Sequence, residues 1–167
     1  MEIRHARRGD ADEVARVHVR AWQAAYRGLL PDAYLDALRP EDRAGYYRFE
    51  DPDSDVPLTV VALEGSTITG FATTGPCADD PDETGELYAL YVDPPFWGSG
   101  TGRSLLARAR DQLRDRGFSR AVLWVLAGNE RAERFYRIDG WSGDGTQREA
   151  EVWGIGVEEL RYSRGLT

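Results

Sequence analysis

The chain contains no lysine: all 21 of its basic residues are arginine, set against 29 acidic residues for a net charge of −8. Such a surplus of negative charge repels nucleic-acid phosphates and attracts cations through its long-range field, so no nucleic-acid partner is expected. Cysteine is nearly absent as well. Cys77 stands alone, which excludes an internal disulfide, and no His or Asp cluster with metal spacing accompanies it, so it reads as a core filler and no metal is expected. The two histidines, His5 and His18, are equally isolated. His18 lies four residues from both Val14 and Trp22 on a helical stripe, the pattern of a packed imidazole. Long apolar runs are missing too. The longest, Ala121 to Ala127, is far too short to cross a bilayer, and the opening MEIRHARRGDADE lacks the apolar stretch of a secretory signal. A cytoplasmic protein without membrane contact is expected.

What is present points to one packed domain over residues 1–167, since 41% of the residues are hydrophobic and 11% aromatic. Ile3 to Ala6 reads as a short strand. Asp10 opens a helix with an apolar stripe of Val14, Val17, Ala21, Trp22 and Ala25, which Gly28 ends. Pro31 starts a second helix through Leu38, and Glu41 to Phe49 makes a third, before a loop from Glu50 to Pro57. From Leu58 the period changes. Leu58 to Leu63 and Thr67 to Thr74 are β-branched runs joined at Glu64, Gly65 and Ser66, which predicts a hairpin, and after the acidic loop from Gly75 to Gly85 the strand Glu86 to Val92 follows. Arg103 to Arg116 has helical spacing and stops at Gly117; Ala121 to Leu126 is apolar throughout, as in a strand covered on both faces. Asn129 can cap a helix from Glu130 to Asp139 that Gly140 closes, and two further strands are expected around Glu149 to Gly154 and Glu159 to Tyr162. The sum is an α/β (α+β) fold, a mixed sheet with helices on its faces.

Gly98, Gly100 and Gly102 alternate between the strand ending at Val92 and the helix from Arg103. Glycines at a helix N-terminus leave amide N–H groups unpaired in front of the positive end of the helix dipole, which favours a phosphate or pyrophosphate, and Arg103 adds a charged donor. Two familiar phosphate loops do not fit. A P-loop requires lysine, and the dinucleotide fingerprint requires glycine where this chain has Arg103.

The run from Val92 to Leu106, VDPPFWGSGTGRSLL, resembles the acyl-CoA-binding segment of the GNAT acetyltransferases, V-x-P-x-x-R/Q-x-x-G-x-G/A followed by a leucine pair. Asn129, Ala132, Tyr136, Gly140 and Trp141 likewise resemble the family's N-x-x-A-x-x-x-Y-x-x-x-G-F/W segment, and together the likeness runs from Ile3 to about Arg164. The resemblance implies a mixed, mostly antiparallel sheet flanked by helices and an N-acetyltransferase that moves an acetyl group from acetyl-CoA to a primary amine by direct attack. It implies further that amides of Gly98, Ser99, Gly100, Thr101, Gly102 and Arg103 hold the CoA pyrophosphate and that main-chain groups of Leu90, Tyr91 and Val92 contact the pantetheine and thioester. Asn129, at the start of the helix beside the CoA sulfur, is among the cofactor-binding residues that the resemblance implies, and Tyr136 protonates the departing thiolate. Trp97 departs from the pattern, standing where the family has Arg or Gln. Trp124 stands in one of the two strand positions where many members carry a base, which leaves Glu86 as the candidate, with deprotonation through water as the alternative. A non-catalytic acyl-CoA-binding regulatory module also remains open at this level. The acceptor is expected to be a small-molecule or peptide amine, cationic or amphipathic, and a homodimer stays open.

Overall fold

The computed structural model describes residues 1–47, 49 and 57–167, and in them the changing periods of the sequence become seven strands and five helices. In order these are β1 (Glu2–His5), α1 (Ala11–Ala25), α2 (Asp32–Ala37), α3 (Glu41–Ala44), β2 (Leu58–Glu64), β3 (Thr67–Pro76) and β4 (Thr84–Val92), then α4 (Thr101–Asp115), β5 (Arg120–Leu126), α5 (Glu130–Ile138), β6 (Ser142–Val152) and β7 (Ile155–Gly165). The strands form one sheet in the order β1-β2-β3-β4-β5-β7-β6. All pairings are antiparallel except β4 with β5, so the expected α/β class and mostly antiparallel sheet are both present.

Helices cover both faces. Leu105, Leu106, Ala109 and Leu113 of α4 are almost fully buried against Val60, Ala72, Leu87, Leu123 and Val125, and each such leucine contributes about 1.5–3 kcal/mol by leaving water. The close approach depends on small residues. A Cβ at Gly70 would lie 2.9 Å from both Leu105 Cδ1 and the Tyr91 carbonyl oxygen, and one at Gly85 only 2.7 Å from Leu113 Cδ2. On the other face, Val14 and Val17 of α1 pack on Val61, Ile68 and Phe71, while Trp22, Tyr26, Leu30 and Leu35 form a separate cluster with the β6–β7 end of the sheet.

Four elements, α4, α3, β6 and β7, differ from the sequence reading for definable reasons. α4 begins at Thr101 rather than Arg103, because Gly100 (φ 90°) turns the chain into the helix and Gly102 already belongs to its first turn. α3 stops at Ala44, with Gly45 as its C-terminal cap; of the expected continuation to Phe49, Arg48 lies outside the described residues, as do Glu50–Val56 of the loop. β6 and β7 are far longer than expected, each 11 residues. The Ser-Gly-Asp-Gly opening of β6 reads as a turn, yet it forms the sheet edge, where only one side needs a partner. Their turn is Trp153 (φ 56°) and Gly154 (φ 80°), two left-handed residues as a type I′ hairpin requires.

Candidate active site

The site begins with a surplus residue in β4. Thr73 of β3 faces Ala89 and Thr74 faces Leu87, so Tyr88 is unmatched and forms a β-bulge. Leu87 packs with the α4 side, and after the bulge Leu90 and Val92 do so again, whereas Ala89 and Tyr91 face α1. The bulge also ends the parallel pairing. β5 accompanies β4 only from Thr84↔Arg120 to Leu87↔Leu123, and beyond Leu87 the two strands part. Asp93 N–H donates to the Thr69 carbonyl at 2.8 Å, so by antiparallel alternation the main chain of Tyr91 also faces β3. The main-chain groups of Leu90 and Val92 then face the opened cleft, and Trp97 Nε1–H donates to the Val92 carbonyl at 2.7 Å from that side.

Where β4 ends, the chain turns through Pro94–Phe96 into the glycine loop. Gly98 (φ 77°) and Gly100 (φ 90°) are left-handed, and the space beside each is open. Among the described residues, the amides of Gly98, Gly100, Thr101, Gly102 and Arg103 have no backbone acceptor; Ser99 N–H bonds to Phe96 O at 3.3 Å, and Ser104 closes the first helical bond to Gly100 O at 3.1 Å. The hydroxyls of Ser99 and Thr101 bond to each other at 2.9 Å, which stiffens the loop, and Arg103 is exposed on the first turn of α4. Unpaired amides at a helix N-terminus are an anion cradle, and their donor set suits a pyrophosphate.

α5 closes the cleft from the α4 side. Asn129 caps it, its Oδ1 accepting from Ala132 N–H at 3.2 Å, so this side chain has a structural task at the place where the sequence reading put a ligand contact. Phe135 packs under the glycine loop, 3.4 Å from where a Cβ of Gly102 would be. Tyr136 packs against Phe135 (5.1 Å) and Trp141 (6.2 Å), and burial first, then the neighbouring Tyr91, hold its phenol well above its ordinary pKa, so it keeps its proton.

The opposite face of β4 carries Glu86. Burial pushes its carboxyl up to about 7, Arg148 pulls it back, Glu159 and Asp79 push it further up, and a hydrogen bond from Cys77 lowers it. Around it lies a cluster not foreseen from the sequence: Arg148 pairs with Glu159 at 2.9 Å and lies 4.0 Å over the Trp124 ring, while Arg161 pairs with Asp144 at 2.6 Å. The pairing of β6, β7 and β5 creates it, and the only sequence trace was the period-2 placement of Trp124 on β5.

Above this floor stands an aromatic wall. His18 lies between Tyr91 (4.6 Å) and Trp153 (4.5 Å), hydrogen-bonds Tyr47 through Nδ1, and is held neutral by burial, with Arg43 adding to the effect, down to a pKa of about 3. It is a packed residue, as its stripe position predicts. Trp153 is fixed further by Trp22 at 4.6 Å, by the Arg43 guanidinium at 4.2 Å and by the Tyr34 hydroxyl, which donates to its carbonyl at 2.6 Å. Tyr26 and Tyr91 place their hydroxyls 3.5 Å apart. Among the described residues no group of three His, Cys, Asp or Glu converges on a metal position, and no helix is long and apolar enough to cross a membrane.

Parted parallel strands, an amide cradle at a helix N-terminus and a tyrosine on the next helix are one arrangement rather than three separate features. Residues 17–141 match the acetyltransferase (GNAT) family, and the chain belongs to it. It is similar to the uncharacterised N-acetyltransferase YuaI of Bacillus subtilis, 34% identical over 131 residues that cover 76% of this chain and 72% of that protein. Among solved structures it resembles the PaiA N-acetyltransferase of Thermoplasma acidophilum in complex with coenzyme A (TM-score 0.73, 20% identity, 98% of each chain covered). It also resembles YncA of Salmonella typhimurium with acetyl-CoA (TM-score 0.74, 22% identity, 100% of this chain and 94% of that one). At these identities the structural likeness is one of fold.

Proposed function

We propose that this protein is an N-acetyltransferase that carries the acetyl group of acetyl-CoA to a primary amine by direct attack. The observation that carries the reading is the parting of β4 from β5 beyond Leu87, which lines up the cleft-facing main chain of Leu90 and Val92 with the amide cradle of residues 98–103. When bound there, acetyl-CoA would supply the reactive thioester. Arg103 and the cradle amides would hold its pyrophosphate, and the cleft-facing groups of Leu90 and Val92 its pantetheine arm. Tyr91 contributes its ring to the acceptor wall, and Asn129 holds the first turn of α5 in place.

Each proton has a proposed keeper. Glu86, with its carboxyl raised to about 7, is ionised above neutral pH and can accept the proton of an incoming ammonium directly or through one water. Tyr136, kept protonated by burial, can donate to the leaving sulfur. A cleft-facing amide of β4 can stabilise the developing oxyanion, a contribution worth roughly 3–4 kcal/mol per donor. The acceptor side presents Glu86, Asp79 and Glu159 beside the Trp124 and Tyr88 rings, with Arg148 partly offsetting their charge, which favours a cationic amine.

Purified protein offered acetyl-CoA and a panel of polyamines, amino acids, aminoglycosides and peptide N-termini tests the reading through release of free thiol. Acceptor-dependent release is expected. Tight CoA binding without turnover on any acceptor would return the non-catalytic module, and no binding at all would overturn both.

A further inference from the structure

Position 97 lacks the basic or amide side chain that its place in the glycine loop leads one to expect, and the structure shows what stands there instead. The Trp97 indole is anchored edge-on by its Nε1–H to the Val92 carbonyl, which fixes the ring plane and leaves a face uncovered. Arg131 lies on that face, its guanidinium carbon 3.7 Å from the ring centroid. Arg131 occupies the first turn of α5, one helical turn before Phe135, the residue that packs against Gly102. The stack therefore sits at the rim of the unpaired amides. Among the described residues no carboxylate pairs with Arg131, in contrast to Arg137 on the same helix, which meets Glu133 at 3.9 Å and the Tyr162 hydroxyl at 3.0 Å.

We infer that Arg131, clamped on the Trp97 ring, supplies from α5 the positive charge that position 97 lacks and binds the phosphoryl oxygens of the CoA pyrophosphate at the cradle of residues 98–103. The inference rests on the CoA-binding reading above. Stacking suits arginine in particular, because the flat guanidinium can lie on an aromatic face while its N–H edge stays free for a bidentate phosphate contact. Holding the side chain on the indole before the ligand arrives also reduces the rotamer freedom lost on binding. Trp97 then substitutes for a basic residue by positioning one.

Calorimetric titration with CoA and with dephospho-CoA tests this without reference to turnover. Arg131→Met should weaken both ligands about tenfold or more by the same factor, as loss of a hydrogen bond to a charged group does, while Arg131→Lys falls between. Its melting temperature should match the parent's, since the side chain is exposed. Adding Trp97→Arg to Arg131→Met should regain much of the loss; Trp97→Gln, which keeps an N–H donor for Val92 O, should regain part of it if the arginine variant folds poorly. Unchanged affinity in Arg131→Met overturns the inference and leaves the acetyltransferase reading standing. A loss confined to CoA would assign the arginine to the 3′-phosphate and overturn the pyrophosphate assignment. No binding by the unaltered protein would overturn the cofactor reading and this inference together.

Discussion

On the α4 side of the sheet, the proposed cofactor seat is made of backbone: two left-handed glycines, five unpaired amides and the cleft-facing main chain of Leu90 and Val92. On the α1 side the proposed acceptor surface is made of side chains, with Glu86 from β4, Trp124 from β5, Arg148 from β6 and Glu159 and Arg161 from β7, backed by the buried rings of His18, Trp22 and Tyr26 from α1 and its C-terminal cap. A site made of amides tolerates a change of side chain as large as tryptophan at position 97 provided the loop keeps its turns. A surface made of side chains changes its ligand with every substitution, and this is the physical reason one fold can pair a single cofactor with many acceptors.

That contrast can be broken at several points. The largest effect is expected from Tyr136→Phe, which removes the one proposed proton donor on the cofactor side; kcat should fall by roughly 10²–10³ with CoA affinity little changed, read by steady-state kinetics and calorimetry. On the acceptor side Glu86→Gln should lower kcat/KM roughly ten- to hundredfold at pH 8. The parent profile should lose activity as pH falls through about 7, where Glu86 takes up a proton, and the variant should lack that limb. If the limb survives in Glu86→Gln, proton transfer runs through water or another group. Between the two sides, Gly70→Ala would press a methyl group on Leu105 and the Tyr91 carbonyl, and urea unfolding should show a loss of about 2 kcal/mol.

The smallest effect concerns acid. The imidazole of His18 is depressed to about 3 against about 6.5 in an unfolded chain, so the stability of keeping it neutral is fully present above pH 6.5 and declines as pH falls toward 3. Relative to the parent, His18→Phe should gain about 1.3 kcal/mol on going from pH 7 to pH 5.5, after subtraction of the constant cost of the lost Tyr47 contact. Parallel unfolding curves at the two pH values would show that His18 is not buried neutral.

The two sides also differed in how much of them could be read in advance. The glycine loop, the cap at Asn129 and Tyr136 each belong to one local stretch, where spacing along the chain is spacing in space, and each lies on the turn or helix expected of it. β4 and β5 were legible as apolar runs for the same reason. The Glu159–Arg148–Trp124 cluster depends on pairing between strands far apart in sequence, and β6, as an edge with alternating charge and an opening Ser-Gly-Asp-Gly, lacks the hydrophobic pattern that marks a strand. Trp153 was read as the end of a strand because a bulky residue seldom adopts a left-handed turn; its contacts with His18, Trp22 and Arg43 hold it there.

The bulge at Tyr88 makes β4 a strand whose parity changes midway. In unbroken alternation, Glu86 and Tyr91 would fall on opposite faces, and the carboxyl would be driven among the leucines of α4. One surplus residue puts both on the α1 face while Leu87, Leu90 and Val92 all remain on the other. Deleting Tyr88 would bring Leu87 and Ala89 side by side opposite Thr74 and Thr73 and leave every remaining side chain on its present face, so the packing of the strand should survive that deletion, while an inserted residue elsewhere in β4 would exchange inside for outside.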